Sequence, residues 1–148
     1  MTLPASGAIS LSQIANEVGL ALPISINHAW LLTLIGKAGF PVSFSDFYSK
    51  TGRFDGSLPA SSGATYTIFF SNAPFFGGQL SSMNGDASND SNLFFSVAPN
   101  WSGNIKAINN TTGLSCVMPK TSSTTWGGAV GNILRPGQTD SITILPSN

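Results

Sequence analysis

Asp140-Ser141-Ile142-Thr143-Ile144 alternates polar and apolar residues from Ser141 onward, and Arg135-Pro136-Gly137 stands just before it. A period of two sends successive side chains to opposite faces, so this stretch reads as a β-strand with one buried and one wet face. Pro-Gly ahead of it supplies the turn. Working back along the chain, the same texture repeats. β-rich runs at 65–70, 78–83, 92–97, 104–109, 114–118, 125–130 and 139–145 alternate with turn clusters. The clusters are Asn72-Ala73-Pro74, the polar loop 84–91, Pro99-Asn100 and Asn110-Thr111-Thr112-Gly113. Seven short strands at this spacing predict a small antiparallel β-sandwich over 64–148, immunoglobulin-like or jelly-roll-like.

Before Phe54 the texture differs. An apolar-Ser-apolar-polar unit occurs as Ile9-Ser10-Leu11-Ser12, Ile24-Ser25-Ile26-Asn27 and Val42-Ser43-Phe44-Ser45. Each unit ends on a residue of N-cap type and precedes a short helical stretch, at 13–18, 28–35 and 46–50. Gly19, Gly36 and Gly52 close these stretches. Helices this short are marginal alone in water, so they need a surface to pack on. Residues 1–52 therefore read as a helical N-terminal anchor, and the overall class as mainly β. Between the two parts, 53–63 includes Asp55-Gly56-Ser57-Leu58-Pro59-Ala60-Ser61-Ser62-Gly63, whose composition predicts a flexible linker.

Composition limits the function classes. Of 148 residues only 8% are charged, against about 25% in an ordinary soluble domain, and the net charge is zero. Such a surface gives little colloidal repulsion and favours coverage by sister subunits or a larger assembly. Six Lys and Arg, scattered along the chain, do not make a nucleic-acid footprint. No apolar run reaches the roughly 20 residues of a membrane-spanning helix, and the first residues lack the pattern of a signal peptide.

The sequence offers little chemistry and reads as non-enzymatic. His28 is the only histidine and Glu17 the only glutamate. A single His at a helix start is expected to pack or cap rather than act as a general base. No phosphate loop, dinucleotide fingerprint or zinc spacing is present, and no cofactor is expected. Oxygen-bearing side chains alternate through Asn84-Gly85-Asp86-Ala87-Ser88-Asn89-Asp90-Ser91-Asn92, a spacing that can surround calcium. Phe95 stands where an EF-hand loop carries its bidentate Glu, and a turn rich in Asx caps is the simpler reading. Cys116, the one cysteine, lies in an apolar run and is expected to be a buried thiol. Trp101 and Trp126 flank loops, where an exposed ring could stack on a sugar; burial is the default for Trp. These two are the candidate ligand-facing residues of an alternative function, a module that binds a host-surface glycan or receptor.

The opening Leu3-Pro4-Ala5-Ser6-Gly7-Ala8-Ile9-Ser10-Leu11-Ser12-Gln13-Ile14, with Glu17-Val18-Gly19 and the later Val42-Ser43-Phe44-Ser45-Asp46-Phe47-Tyr48-Ser49-Lys50, resembles a segment common in structural proteins of tailed bacteriophages. The resemblance covers about a third of the chain. Val42, Phe44 and Ser49 depart from the usual Ile-Ser-Leu-Ser-Asp-Phe-Tyr-Gly-Lys form and leave its apolar pattern intact. It implies a virion component, such as a tail-fibre, head-fibre or decoration protein. Other virion proteins (capsid, tail or adaptor) would be its partners, and a homo-oligomer, in this class of appendage a trimer, is expected. On that reading Leu11, Ile14, Trp30, Leu31, Leu34, Phe44, Phe47 and Tyr48 are the candidate docking or oligomerisation surface. The same residues equally suit an ordinary small core.

Overall fold

The computed structural model describes residues 2–148. Two short helices, α1 (Leu11–Glu17) and α2 (Ala29–Ile35), and a 3-10 turn (Phe44–Phe47) come first. Eight strands follow: β1 (Phe54–Pro59), β2 (Thr65–Phe75), β3 (Gly78–Asp86), β4 (Ser91–Val97), β5 (Asn104–Asn109), β6 (Leu114–Met118), β7 (Thr125–Gly128) and β8 (Thr139–Ser147). They form two four-stranded sheets, β1-β8-β5-β6 and β2-β3-β4-β7. All pairings are antiparallel. This is the expected β-sandwich. Its strand order is not the ABED and CFG of immunoglobulin domains, because the last strand lies between the first and the fifth.

The inner faces follow the period of two. Ile105, Ala107, Cys116, Met118, Ile142 and Ile144 from one sheet meet Ile68, Phe70, Leu80, Met83, Leu93, Phe95 and Trp126 from the other. Gly127 is obligatory in this packing: its φ is +154°, and a Cβ there would lie 2.3 Å from the carbonyl oxygen of Ser91. Cys116 is buried, and burial pushes its thiol pKa up.

The eighth strand corrects the linker expected over 53–63. β1 pairs with β8 along its whole length, from Phe54 opposite Ile144 to Pro59 opposite Thr139. Phe54, Gly56 and Leu58 turn inward while Asp55, Ser57 and Pro59 face out. The Gly/Ser/Pro composition concealed this alternation, and the backbone partner supplied by β8 compensates for weak local propensity. Thr143 Oγ1 donates to Asp55 Oδ1 at 2.6 Å, so the expected wet face of β8 is partly covered.

Residues 2–52 likewise do not stand apart from the sandwich. Leu3, Ile14, Val18, Leu31, Leu34 and Phe47 share one hydrophobic core with the sandwich. They cover the end formed by the β2–β3 turn, the β4–β5 connection and the terminus of β8. There the N–H of Phe76 donates to the Thr51 carbonyl at 2.7 Å, and Gly19 lies against the Leu145 side chain. The segment also closes on itself. The N–H of Leu3 donates to the Lys50 carbonyl at 2.9 Å, that of Ser49 to the Pro4 carbonyl at 3.0 Å, and the Tyr48 hydroxyl to the Gly7 carbonyl at 2.5 Å.

The repeated Ser-containing units set up two helix starts by one device. Ser10 and Ser43, rather than the expected Ser12 and Ser45, are the N-caps, each in a capping box with the residue three further on, Gln13 or Asp46. The backbone N–H of Ser10 donates to Gln13 Oε1 at 2.7 Å, and that of Ser43 to Asp46 Oδ2 at 2.8 Å. In both units the two serine hydroxyls also bond one another. At the second start His28 is the cap, as its position suggested, and Nδ1 accepts from the Trp30 N–H at 3.2 Å.

At the opposite end of the sandwich a buried polar joint closes the fold. Asn109 Nδ2 donates to the Ile133 carbonyl at 2.8 Å and to Asp140 Oδ2 at 2.7 Å, while its Oδ1 accepts from the N–H groups of Thr111 and Thr112. Arg135 pairs with Asp140, and its guanidinium is the main reason the Asp140 carboxyl stays below the ordinary carboxylate range.

Two outcomes follow from this packing. Removing residues 1–52 uncovers Phe76 and Trp101, so a chain starting at Arg53 is expected to melt well below the full chain or to aggregate; equal melting temperatures by circular dichroism would refute the shared core. Asn109→Ala strands the buried Ile133 carbonyl, removes a donor from the buried Asp140 carboxylate, and is expected to cost about 3 kcal/mol, read by chemical denaturation.

Candidate functional site

The structure divides the residues expected to dock. Ile14, Leu31, Leu34 and Phe47 are fully or almost fully buried, and Leu11, Trp30 and Tyr48 are half-buried. Phe44 alone of the eight is exposed, at 43%. The helices are too short to stand alone, so their apolar faces are used within the chain instead of being offered to a partner. The alternation of each helical stretch could not separate these two uses of the same residues.

Other apolar side chains of the N-terminal segment do face solvent. Phe40 is 68% exposed and Leu22 53%, the former being among the most exposed large hydrophobic residues described. Both precede a proline, in Leu22-Pro23 and Phe40-Pro41. Proline disfavours helix at the residue before it, so both side chains sit at bends in the connectors without a helical face to tuck against. That dipeptide pattern was the available signal. The connector holding Phe40 is pinned at both ends, because Lys37 Nζ donates to the Pro41 carbonyl at 3.0 Å and pairs with Asp46 at 2.8 Å. That ammonium, followed by the Ser43 N–H, holds the Asp46 carboxyl below its ordinary value. The sandwich adds exposed Phe69 and Val97, and Leu114 and Val117 on the edge strand β6.

Trp101 and Trp126 do not face a ligand from exposed loops, contrary to the alternative expectation. Trp126 is fully buried and its Nε1 donates to the Gly103 carbonyl at 2.8 Å. Trp101 is nearly so, and its Nε1 donates to the Asn104 carbonyl at 2.7 Å. Trp101 nonetheless lines an open cleft of about 360 Å³. α2 contributes Trp30 and Thr33, the β4–β5 connection Trp101 and Ser102, β5 Asn104, and the end of β8 Ser147. The Trp30 ring stands edge-on to Trp101 at 5.1 Å and edge-on to His28 at 5.9 Å. Because the walls come from three distant stretches, no sequence motif could have marked this cleft.

The loop weighed for calcium is a hairpin turn between β3 and β4. Asp86 Oδ1 accepts from the N–H groups of Ser88 at 2.8 Å and Asp90 at 3.3 Å, and Asn89 has a left-handed φ of 64°. The carboxylate thus serves as an Asx cap. Among the described residues no group of three His, Cys, Asp or Glu side chains could hold a metal ion, and no helix is long and apolar enough to cross a membrane.

One buried acid lies beneath this surface. Glu17 Oε1 accepts from the Gly52 N–H at 2.9 Å, while Oε2 has no hydrogen-bond partner among the described residues. Burial raises its pKa to about 7, against the opposing pull of the Gly52 and Arg53 N–H groups. No protein-family model, no curated protein and no solved structure matches this chain.

The raised Glu17 pKa has a measurable sign. Between its ordinary 4.5 and about 7 the folded chain holds a proton that the unfolded chain has released. Stability contributed by this group is therefore complete below pH 4.5 and declines as pH rises towards 7, by on the order of 2 kcal/mol. Glu17→Gln should flatten that decline in denaturation curves taken from pH 5 to 8; an unchanged slope would show that Glu17 is not its source.

Proposed function

We propose that this chain is a non-enzymatic structural protein of a tailed-bacteriophage virion, held to the particle by its N-terminal segment with the sandwich displayed outward. The observation that carries this reading is the placement of Phe40, Phe44 and Leu22. All three are large, apolar and exposed, and all lie on the segment bearing the two phage-like motifs. Around them the charge-poor composition favours coverage by protein over life as a free monomer. The attachment surface therefore moves from the helix faces to the proline-bearing connectors and the exposed side of the 3-10 turn. Capsid, tail or adaptor proteins are the partners in this reading, and self-association into a trimer fits the same appendage class.

Phe40→Ser together with Phe44→Ser tests the surface without touching the core. Each ring that a partner buries stabilises the complex by about 1.5–3 kcal/mol. Losing both should weaken attachment by at least about a hundredfold. Phage carrying the double variant are expected to yield particles depleted of this protein by quantitative mass spectrometry, while the isolated variant keeps its melting temperature. Normal incorporation would overturn the assignment.

A further inference from the structure

The cleft between α2 and the ends of β5 and β8 has a different chemistry from the apolar attachment surface. We propose that it binds a neutral saccharide, a pyranose ring or a short oligosaccharide of such rings. Its volume of about 360 Å³ lies at the small end of the range for ligand sites. No Asp, Glu, Lys, Arg or His side chain lines it. The polar wall consists of hydroxyls and amides: Ser102 and Asn104 can both donate and accept, as sugar hydroxyls require, while the Thr33 and Ser147 hydroxyls, which donate to the Ala29 and Asn148 carbonyls, serve as acceptors.

The aromatic wall supplies the other half of sugar recognition. Trp30 is half-buried and presents apolar ring surface to the cleft, where the C–H face of a pyranose can pack. Its indole N–H makes no hydrogen bond among the described residues, in contrast to those of Trp101 and Trp126, which are both bound to carbonyls. The side chains of Ser102 and Asn104 are likewise without hydrogen bonds among the described residues, and so are available to a ligand.

The site is also preorganised. Trp30 lies two residues after the His28 cap, and its ring is held by edge contacts to His28 and Trp101. Trp101 is fixed in turn by Phe76, 5.1 Å away, and by its bond to Asn104. Little side-chain freedom is left to lose on binding. The cleft is open and shallow, so a single sugar is expected to bind with a Kd of about 1 mM, and several copies on one assembly would add avidity. This inference stands independently of virion attachment, because none of its residues belongs to the exposed apolar set.

Titration of the ¹⁵N-labelled full chain with the methyl glycosides of glucose, galactose, rhamnose and N-acetylglucosamine, each to about 20 mM, tests the proposal by NMR. The expected result is a saturable shift of the Trp30 indole N–H and the Asn104 side-chain amide for at least one glycoside. Ser102→Trp fills the cleft from an exposed position, and Thr33→Tyr fills it from α2; either should reduce the shift at least about tenfold while circular dichroism stays native. Absence of saturable shifts with every glycoside, shifts that persist in both variants, or saturation by benzyl alcohol with none by a sugar would each overturn the saccharide assignment.

Discussion

A run of tilted and edge-packed aromatic rings joins the two halves of this molecule. It passes from Trp30 on α2 to Trp101, Phe76, Phe75, Phe95 and Trp126, each ring centroid 5.0–5.8 Å from the next. The seven-residue α2 begins at one end of this run, and the sheet strand β7 lies at the other. Helices of that length gain too little from their own hydrogen bonds to persist alone. Their order is therefore borrowed from rings that the sandwich already holds in place. Removing the sandwich end would leave α1 and α2 without a surface, and removing the helices would leave Phe76 and Trp101 wet.

That dependence explains why so many residues suited to docking are occupied internally. A segment of about fifty residues with two short helices has little apolar surface beyond what it needs to adhere to the sandwich. Leu31 and Leu34 on one helix, and Ile14 and Val18 near the other, are consumed by the shared core. What remains for a partner is the set that local geometry prevents from turning inward, Leu22 and Phe40 beside their prolines and Phe44 on the outer side of the 3-10 turn. The exposed apolar set lies wholly on this segment, whereas the hydroxyl-rich cleft is shared between α2, the β4–β5 connection with the start of β5, and the end of β8. The first escapes the core, and the second lies where the segment meets it.

Much of the architecture was legible in the chain itself. The strands at 104–109 and 114–118 have the extents that their residues indicated, and both α-helices fall within two residues of their expected limits. These are segments where local period and turn chemistry agree with the tertiary outcome. The strand β1 was not legible, since Asp-Gly-Ser-Leu-Pro has weak strand propensity and only the neighbouring β8 makes its hydrogen bonds worthwhile. Likewise the burial of Asp140 depends on Asn109 and Arg135, which approach it only in the folded chain.

The sequence by itself determined a β-sandwich preceded by short helices, because alternation, capping serines and turn residues act over a few neighbours. It also determined a surface poor in charge, since composition alone sets that. Tertiary structure decided which apolar side chains are spent on the core and which stay exposed, and it decided that Trp101 and Trp126 are buried while Trp30 lines a cleft. Helix faces and sheet faces carry the same residue types whether they meet their own chain or another. Only the three-dimensional pairing of distant segments distinguishes the two.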